Sequence, residues 1–566
     1  MYIESVTIKG FRGLDLTARL AAPLAVIAGP NNSGKSAIVD ALRSLLYPVA
    51  GRGGRRYIRP SDFTVGTAAP EIKISVVLRG IQPTQLGTFV SILAPSLGTD
   101  AAILGLHSRL DPNGRPVTNY LGGDLLLNRP EPIALEAVTF VYLPALRDAE
   151  SDLRPGSSNR LADLVSAFAP AGHTDRDTIV AIAEAANSDL RQVDAIIASV
   201  AAVQSRLSTI TKSGPFAHQA DMSFSEARYE RIVATLQALA GAALPVDIRQ
   251  NGLGYNNLVY MAVLLAAIES NPDSPLTVLL VEEPEAHLHP QLQGLLMEYL
   301  VSISTETTHV LTTTHSPQFA STASVEKTTV LTKTNPATSP SAHLLLDAGL
   351  SSKESDYLRR FLDVTKASLL FAQSVILVEG TAEQLLIPAL ANRLGINLTE
   401  HGVSVISVDG VSFGPFIRLF SDTGLPTRCA IISDSDPYTD AAGVEHDMSA
   451  VAQQLITTAN DKIRVHLSEK TLEWQIAFEN WATTDLLRDA LASVHPRTAF
   501  PSAGATQGVD GQREFADDFL SVISKSKGPF AQELARQIIN SRDIVFSVPP
   551  YIADAIRWAA SPTDAR

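Results

Sequence analysis

Residues 29–36 read GPNNSGKS, a G-x-x-x-x-G-K-S spacing after an apolar run (Leu24 to Ala28) and before a helical pattern through Leu46. Gly29 and Gly34 let backbone N–H groups turn inward around phosphate oxygens, with Asn31, Asn32 and Ser33 between them. The following helix offers its positive end to the same anion. In this pattern Lys35 reaches the β- and γ-phosphates of ATP, and Ser36 ligates the Mg²⁺. A second apolar run, in TVLLVEEPEAHLHPQ (277–291), ends in paired acids. Glu282 is placed to hold the Mg²⁺ through water, although an aspartate is usual there and the longer side chain weakens the case for direct contact. Glu283 is placed to polarise the attacking water. HVLTTTHSPQF (309–319) is a third such run, ending in His315, which can hydrogen-bond a γ-phosphate and report its loss. His287 and His289, two apart beside a proline, read as turn and interface residues rather than metal ligands.

A different chemistry is written further on. SVILVEGTAEQLLIPAL (374–390) is an apolar strand, then Glu379-Gly380, then a helix carrying Glu383. RCAIISDSDPYTD (428–440) is another apolar strand, ending in Asp434-Ser435-Asp436. Acids at i and i+2 of an extended segment share a side. Carboxylates gathered this way repel one another unless a divalent cation neutralises them, and an all-oxygen set suits Mg²⁺ or Mn²⁺ rather than zinc.

The elements that must position these groups are legible as patterns. Alternation at Val6 and Ile8 marks an opening strand, and strands and turns dominate to about Pro144. Apolar residues at near-heptad spacing (Ala186, Leu190, Val193, Ile197, Val200, Leu207) predict a helical segment of about three heptads, broken by Gln204. A second helix is expected over Glu226–Ala240, and another from Glu354 to about Leu370. Residues 151–242 therefore read as a helical insertion, packed on itself or dimerising. GRGGRRYIRP (51–60) is either a solvated loop or a loop that touches DNA through Arg52, Arg55, Arg56 and Arg59. The expected organisation is 1–150 and 243–345 as two parts of one ATPase head, 346–372 as a linker helix, and 373–566 as a metal-acid domain with helical additions.

Composition sets limits. Hydrophobic residues make up 45% and charged residues 18%, which excludes a largely disordered chain. No apolar run is long enough to span a bilayer, and a single cysteine in 566 residues suits a reducing cytoplasm. Acids outnumber bases 59 to 45, a net charge of −14, which argues against a polybasic nucleic-acid or membrane coat while leaving room for a local basic channel or metal-mediated contact with phosphate.

The order of motifs resembles the ABC-type ATPase heads of the SMC and RecF group: phosphate loop, helical insertion, signature segment, paired acids, switch histidine. NGLGYNNLVYMAVLLA (251–266) stands at the signature position without Leu-Ser-Gly-Gly. The resemblance implies that Gly252, Gly254, Asn256 and Asn257 contact nucleotide from the opposite subunit. Phe11-Arg12 resembles this group's opening, with Arg12 either touching nucleotide or making a structural ion pair. The metal-acid half resembles a TOPRIM domain, and the combination resembles the OLD (overcoming lysogenization defect) nucleases, through residues 358–390 and FVYLPALRDAE (140–150). That family implies a further metal-binding acid, Glu473, and a phosphate-stabilising lysine, Lys527, with Lys525 as its rival.

The fold expected is α/β: an SMC-like P-loop ATPase with a helical insertion, then a Rossmann-like TOPRIM domain. The function expected is an ATP-binding, two-metal DNA endonuclease, with Glu379, Glu383, Asp434, Asp436 and Glu473 as metal ligands. It would act as a homodimer through its heads or insertion, in phage defence or DNA processing, with a separately encoded helicase as a family-level partner and no membrane. The alternatives are a repair ATPase whose acids are structural, and a topoisomerase- or primase-like enzyme. No helicase, zinc-ribbon or strand-passage module is visible in the sequence.

Overall fold

The computed structural model describes all residues except 47–55, 67–69, 146–152, 154, 157–158, 213–217, 223–225, 241–245, 248–251, 270–273, 334, 336–337, 411, 442, 502–507, 542 and 562–566. Three main sheets organise them. The first is antiparallel, in the order Leu14–Arg19, Tyr2–Phe11, Glu71–Arg79, Ala102–Leu110, Pro116–Gly122. Its strands alternate buried and exposed residues, as a sheet covered on one face must.

The second sheet runs Ser341–Leu344, Thr328–Thr332, Leu24–Ala28, Thr308–Thr314, Leu276–Glu282, Val138–Leu143, parallel throughout except its first, edge strand. Leu24–Ala28 is buried at every position, because helices and the first sheet cover both its faces. Parallel pairing brings the carboxyl ends of Leu24–Ala28, Thr308–Thr314 and Leu276–Glu282 to one edge, with Thr314 beside Ala28 and Thr313 beside Glu282. Those ends carry the phosphate loop, His315 and the paired acids.

The third sheet is all parallel: Val403–Ser407, Ser374–Val378, Arg428–Ser433, Ile463–Leu467. Ile376 and Val378 face one core and Val375 and Leu377 another, so this sheet is also covered on both sides. One cover contains Thr381–Arg393, Lys527–Asn540 and Pro550–Ala560.

Three expected helices differ from the sequence reading. The heptad seam is split into Thr174–Leu190 and Asp194–Thr211, bent by 72°. Val193 is extended, and Asp194 opens a new helix where its charge complements the N-terminal dipole. The Glu226–Ala240 helix shortens to Tyr229–Val233, with Tyr229 and Val233 buried and Leu236 and Leu239 left exposed. The linker helix ends at Phe361, and a 3-10 segment, Lys366–Phe371, follows. Asp363 separates them by drawing in the Lys366 amide and ammonium. Among the described residues no single helix is long and apolar enough to cross a membrane.

One buried histidine joins the two sheets of the first half. His309 Nδ1 accepts from the Ile3 amide at 3.0 Å, and Nε2 donates to the Ala21 carbonyl at 2.8 Å, which fixes the neutral Nε2–H form. Burial lowers its pKa to about 4. Because the folded value lies below the ordinary 6.5, the unfolded chain takes up the proton first. This contribution to stability is complete above pH 6.5 and is lost as pH falls towards 4. His309→Leu strands two buried backbone groups and should destabilise the protein by roughly 2–4 kcal/mol. Thermal melts from pH 8 to 4 check both points: the wild-type midpoint falls across that window, and the leucine variant has the lower midpoint and the shallower slope.

Candidate active site

The phosphate loop lines a cleft of about 620 Å³ with Arg12, Asn31, Asn32, Gly34, Lys35, Ser36, Glu283 and Lys333. Gly34 has φ +95°, and a Cβ there would lie 2.9 Å from Leu14, so the turn requires glycine. Lys35 is buried and folds back to donate to the carbonyls of Gly29 and Pro30, at 2.7 and 2.8 Å. Burial lowers its pKa, against the opposing pull of Glu283, Glu285 and Glu282. The Ser33 hydroxyl is buried without a hydrogen-bond partner. A curled lysine and a helix end at one cleft are features a triphosphate would satisfy.

The paired acids and His315 meet beside this loop. His315 Nδ1 lies 3.2 Å from Glu283 Oε1 and 4.0 Å from Glu285 Oε1. Glu285 is buried, accepts from the Thr314 hydroxyl and the His315 amide, and has its pKa raised by burial. Glu282 accepts from the Tyr142 hydroxyl at 2.7 Å, and Arg43 covers the Tyr142 ring at 3.9 Å. Tyr142 and Lys333 are site residues that the sequence reading did not single out. Tyr142 belongs to the strand paired with Leu276–Glu282, opposite Leu280, and that register is the signal that would have found it.

Arg12 both lines the cleft and is ion-paired, to Asp62 at 2.9 Å and Asp40 at 2.8 Å. Arg56 bonds the same two acids and covers the Phe11 ring, so it is a buried tie rather than part of a DNA-touching loop. Arg52 and Arg55 lie outside the described residues. Part of the signature segment packs on its own chain. A Cβ on Gly254 would strike the His287 carbonyl at 2.4 Å, Asn257 reaches the Ala286 carbonyl at 3.5 Å, and Asn256 is buried. His289 caps the helix Pro290–Ile303 through Gln291, as a turn residue does.

The second site lies at the carboxyl edge of the third sheet. Val378 pairs with Ile432, which sets Glu379 beside Ser433. Glu379 Oε1 accepts from the Ser433 hydroxyl and, at 2.8 Å, from the Asp434 amide. Ser433 pairs with Leu467, which sets Ser468 beside Asp434, and its hydroxyl donates to Asp434 Oδ1 at 3.1 Å. Glu383, in the first helical turn, accepts from the Gly380 amide at 2.9 Å. Glu473, almost wholly buried, accepts from the Thr471 hydroxyl and pairs with Lys527 Nζ at 2.9 Å. Asp436 is exposed at the rim with φ +48°. Lys527 is drawn into the cluster, whereas Lys525 is exposed.

The charges in this cluster are in conflict. Burial raises the Asp434 pKa well above its ordinary value, and Glu379, Glu383, Glu473 and Asp436 raise it further. Burial also raises Glu383, with Glu473 and Glu379 adding to it. Burial would lower Lys527, but its bond to Glu473 wins and its pKa rises. Among the described residues no three His, Cys, Asp or Glu side chains converge as a ready-made metal site. Each acid instead leans on a hydroxyl, an amide or Lys527. An all-oxygen set that is buried and mutually repelling is the donor chemistry a hard divalent cation satisfies.

Residues 1–58 and 137–320 match the AAA ATPase domain family, and residues 370–436 match the overcoming lysogenization defect protein-like TOPRIM domain family. The chain is 22% identical over 521 residues to the Old nuclease of Escherichia phage P2, covering 85% of this chain and 84% of that one. It is 23% identical over 425 residues to the OLD nuclease of Thermus scotoductus, covering 72% and 77% respectively. A solved structure, the C-terminal region of the Burkholderia pseudomallei OLD protein, aligns at 28% identity and a TM-score of 0.25, covering 34% of this chain and all of that one.

Asp434→Asn removes one charge from the repelling group. In EDTA this variant should melt a few degrees above wild type. Added Mn²⁺ should raise the wild-type midpoint but leave the variant's almost unchanged. Differential scanning calorimetry with and without Mn²⁺ reads both effects.

Proposed function

We propose that this chain, which joins an AAA ATPase domain to a TOPRIM domain of the overcoming lysogenization defect type, is an ATP-regulated, divalent-metal-dependent DNA endonuclease. The observation that carries this reading is that Glu379, Glu383, Asp434 and Glu473 lie around one sheet edge as mutually repelling neighbours, with Lys527 paired to Glu473. Such a set has no use for stability alone, since burying like charges together costs free energy.

Glu379, Glu383, Asp434, Asp436 and Glu473 are the ligands. Divalent cations such as Mg²⁺ or Mn²⁺ held by these residues would supply water activation and charge neutralisation for phosphodiester hydrolysis. Ser433 and Ser468 hold Glu379 and Asp434 in place. Lys527 leaves Glu473 to stabilise the charge that builds up on the phosphate.

In the other half, Ser36 and Glu282 would hold the Mg²⁺ that accompanies ATP. Glu283 orients the attacking water, with His315 at 3.2 Å as its partner and as the sensor of the γ-phosphate. ATP acts on assembly and access rather than on phosphodiester chemistry. Exposed Ile182, Val193, Ile197 and Ile210 on the insertion support association of two copies, alongside the heads.

A nicking assay on supercoiled plasmid with Mg²⁺ or Mn²⁺, with and without ATP, tests the assignment. Glu379→Ala should abolish metal-dependent nicking and spare ATP hydrolysis. Lys35→Ala should abolish ATP hydrolysis and retain nicking. Lys527→Ala should lower the nicking rate by 100-fold or more on the order of magnitude of a lost electrostatic stabiliser, while Lys525→Ala should not. Wild-type protein that hydrolyses ATP but never cleaves DNA with either metal would overturn the nuclease reading.

A further inference from the structure

The helix Pro550–Ala560 packs across the strands Ser374–Val378, Arg428–Ser433 and Ile463–Leu467 and touches the helix carrying Glu383. Its direction is fixed at one end. Arg428, the first residue of its strand, donates to the carbonyls of Trp558 and Ser561 at the helix's far end. The helix therefore runs antiparallel to the strands, and its first turn arrives at the edge where Glu379 and Asp434 emerge. Tyr551 stands in that turn.

The approach to Tyr551 is clamped. Buried Asn480 accepts from the Ser547 amide at 2.7 Å and donates to the Ser547 carbonyl at 2.9 Å. Asn480 caps the helix Leu472–Glu479, which carries Glu473. Pro549 and Pro550 then fix the entry into the Tyr551 turn. The Tyr551 hydroxyl is shielded from solvent and has no hydrogen-bond partner. A tyrosine buried so far that its polar end is dry ordinarily finds an acceptor.

We propose that Tyr551 is a member of the carboxylate centre, where its hydroxyl donates a hydrogen bond to an oxygen held there by the bound cations. That oxygen belongs either to a coordinated water or to the scissile phosphate. The inference rests on the metal-acid reading above. Burial, then the charges of Asp434, Glu383, Glu473 and Glu379, push its pKa up, so the group remains a protonated donor. The same surroundings oppose a phenolate nucleophile, so the residue positions an oxygen rather than attacking phosphorus.

Tyr551→Phe in the full chain deletes only the hydroxyl. Mn²⁺ binding without DNA is followed by electron paramagnetic resonance, with Glu379→Ala as the reference for a lost site. Single-turnover nicking is then measured across Mn²⁺ and DNA concentrations. If the acceptor is a coordinated water, Mn²⁺ affinity falls about 10- to 100-fold and excess metal restores part of the nicking rate. If it is the phosphate, Mn²⁺ affinity holds and the nicking rate at saturating metal and DNA falls by a similar factor. The midpoint of melting in EDTA should not drop, since the deleted hydroxyl has no partner to lose. Wild-type binding and nicking by the phenylalanine variant would overturn the inference, as would a covalent DNA adduct on Tyr551. A wild-type chain that binds no Mn²⁺ would overturn the metal-acid reading itself.

Discussion

Like charges crowded out of water repel, and the C-terminal half is arranged around that constraint. Glu379, Glu383, Asp434 and Glu473 come from two strand ends and two helices, and their separate elements cannot move apart because the sheet beneath them is covered on both faces. What relieves the repulsion in the protein alone is local: the Ser433 and Ser468 hydroxyls, the Gly380 and Asp434 amides, and the Lys527 ammonium. These contacts lie at the carboxyl edge of the sheet because the strand register puts Ser433 beside Glu379 and Ser468 beside Asp434. Rigid strands here store an electrostatic cost that a cation can release.

The N-terminal half solves a related problem differently. There the surplus charge near the phosphate loop is shared between Lys35 and the acids Glu282, Glu283 and Glu285. Lys35 rests on its own loop carbonyls, and the acids rest on Tyr142, His315 and Thr314. Opposite charges are thus held close but not collapsed onto one another. The geometry keeps a path for a polyanion between them, because the intervening strand, Thr308–Thr314, spaces the loop from the acids.

Much of this was legible in the sequence because chemistry and pattern coincide at strand ends. GPNNSGKS, Glu282-Glu283, His315, Glu379 and Asp434 each follow an apolar run, and a parallel sheet must align such ends. Glu473 and Lys527 were reached only through family resemblance, since an acid and a lysine on helices carry no local signal. Their pairing is a tertiary fact. The helices of the insertion were misjudged for the same reason. Apolar spacing through Val193 looked continuous, but nothing in it records a bend. Tyr142 and Tyr551 are brought to their places by register and by helix direction, which a one-dimensional reading does not contain. The signature segment shows the converse: the resemblance implied a role towards a second subunit, while the contacts of Asn257 and Gly254 with residues 286–288 of their own chain are tertiary facts that no local pattern records.

The pairing of Leu24–Ala28 with Thr308–Thr314 also dictates an order of events during synthesis. The strand that carries the phosphate loop leaves the ribosome long before either strand that flanks it, Thr308–Thr314 and Thr328–Thr332. At about 5–20 residues per second, that wait amounts to tens of seconds. During it the strand has no hydrogen-bonded neighbour in its own sheet. The sheet between Ser374 and Leu467 draws on a much shorter stretch of chain and closes soon after its last strand appears. The half bearing the metal acids can therefore assemble from local sequence, whereas the half that binds phosphate must first retain its opening strand in a form that can still pair.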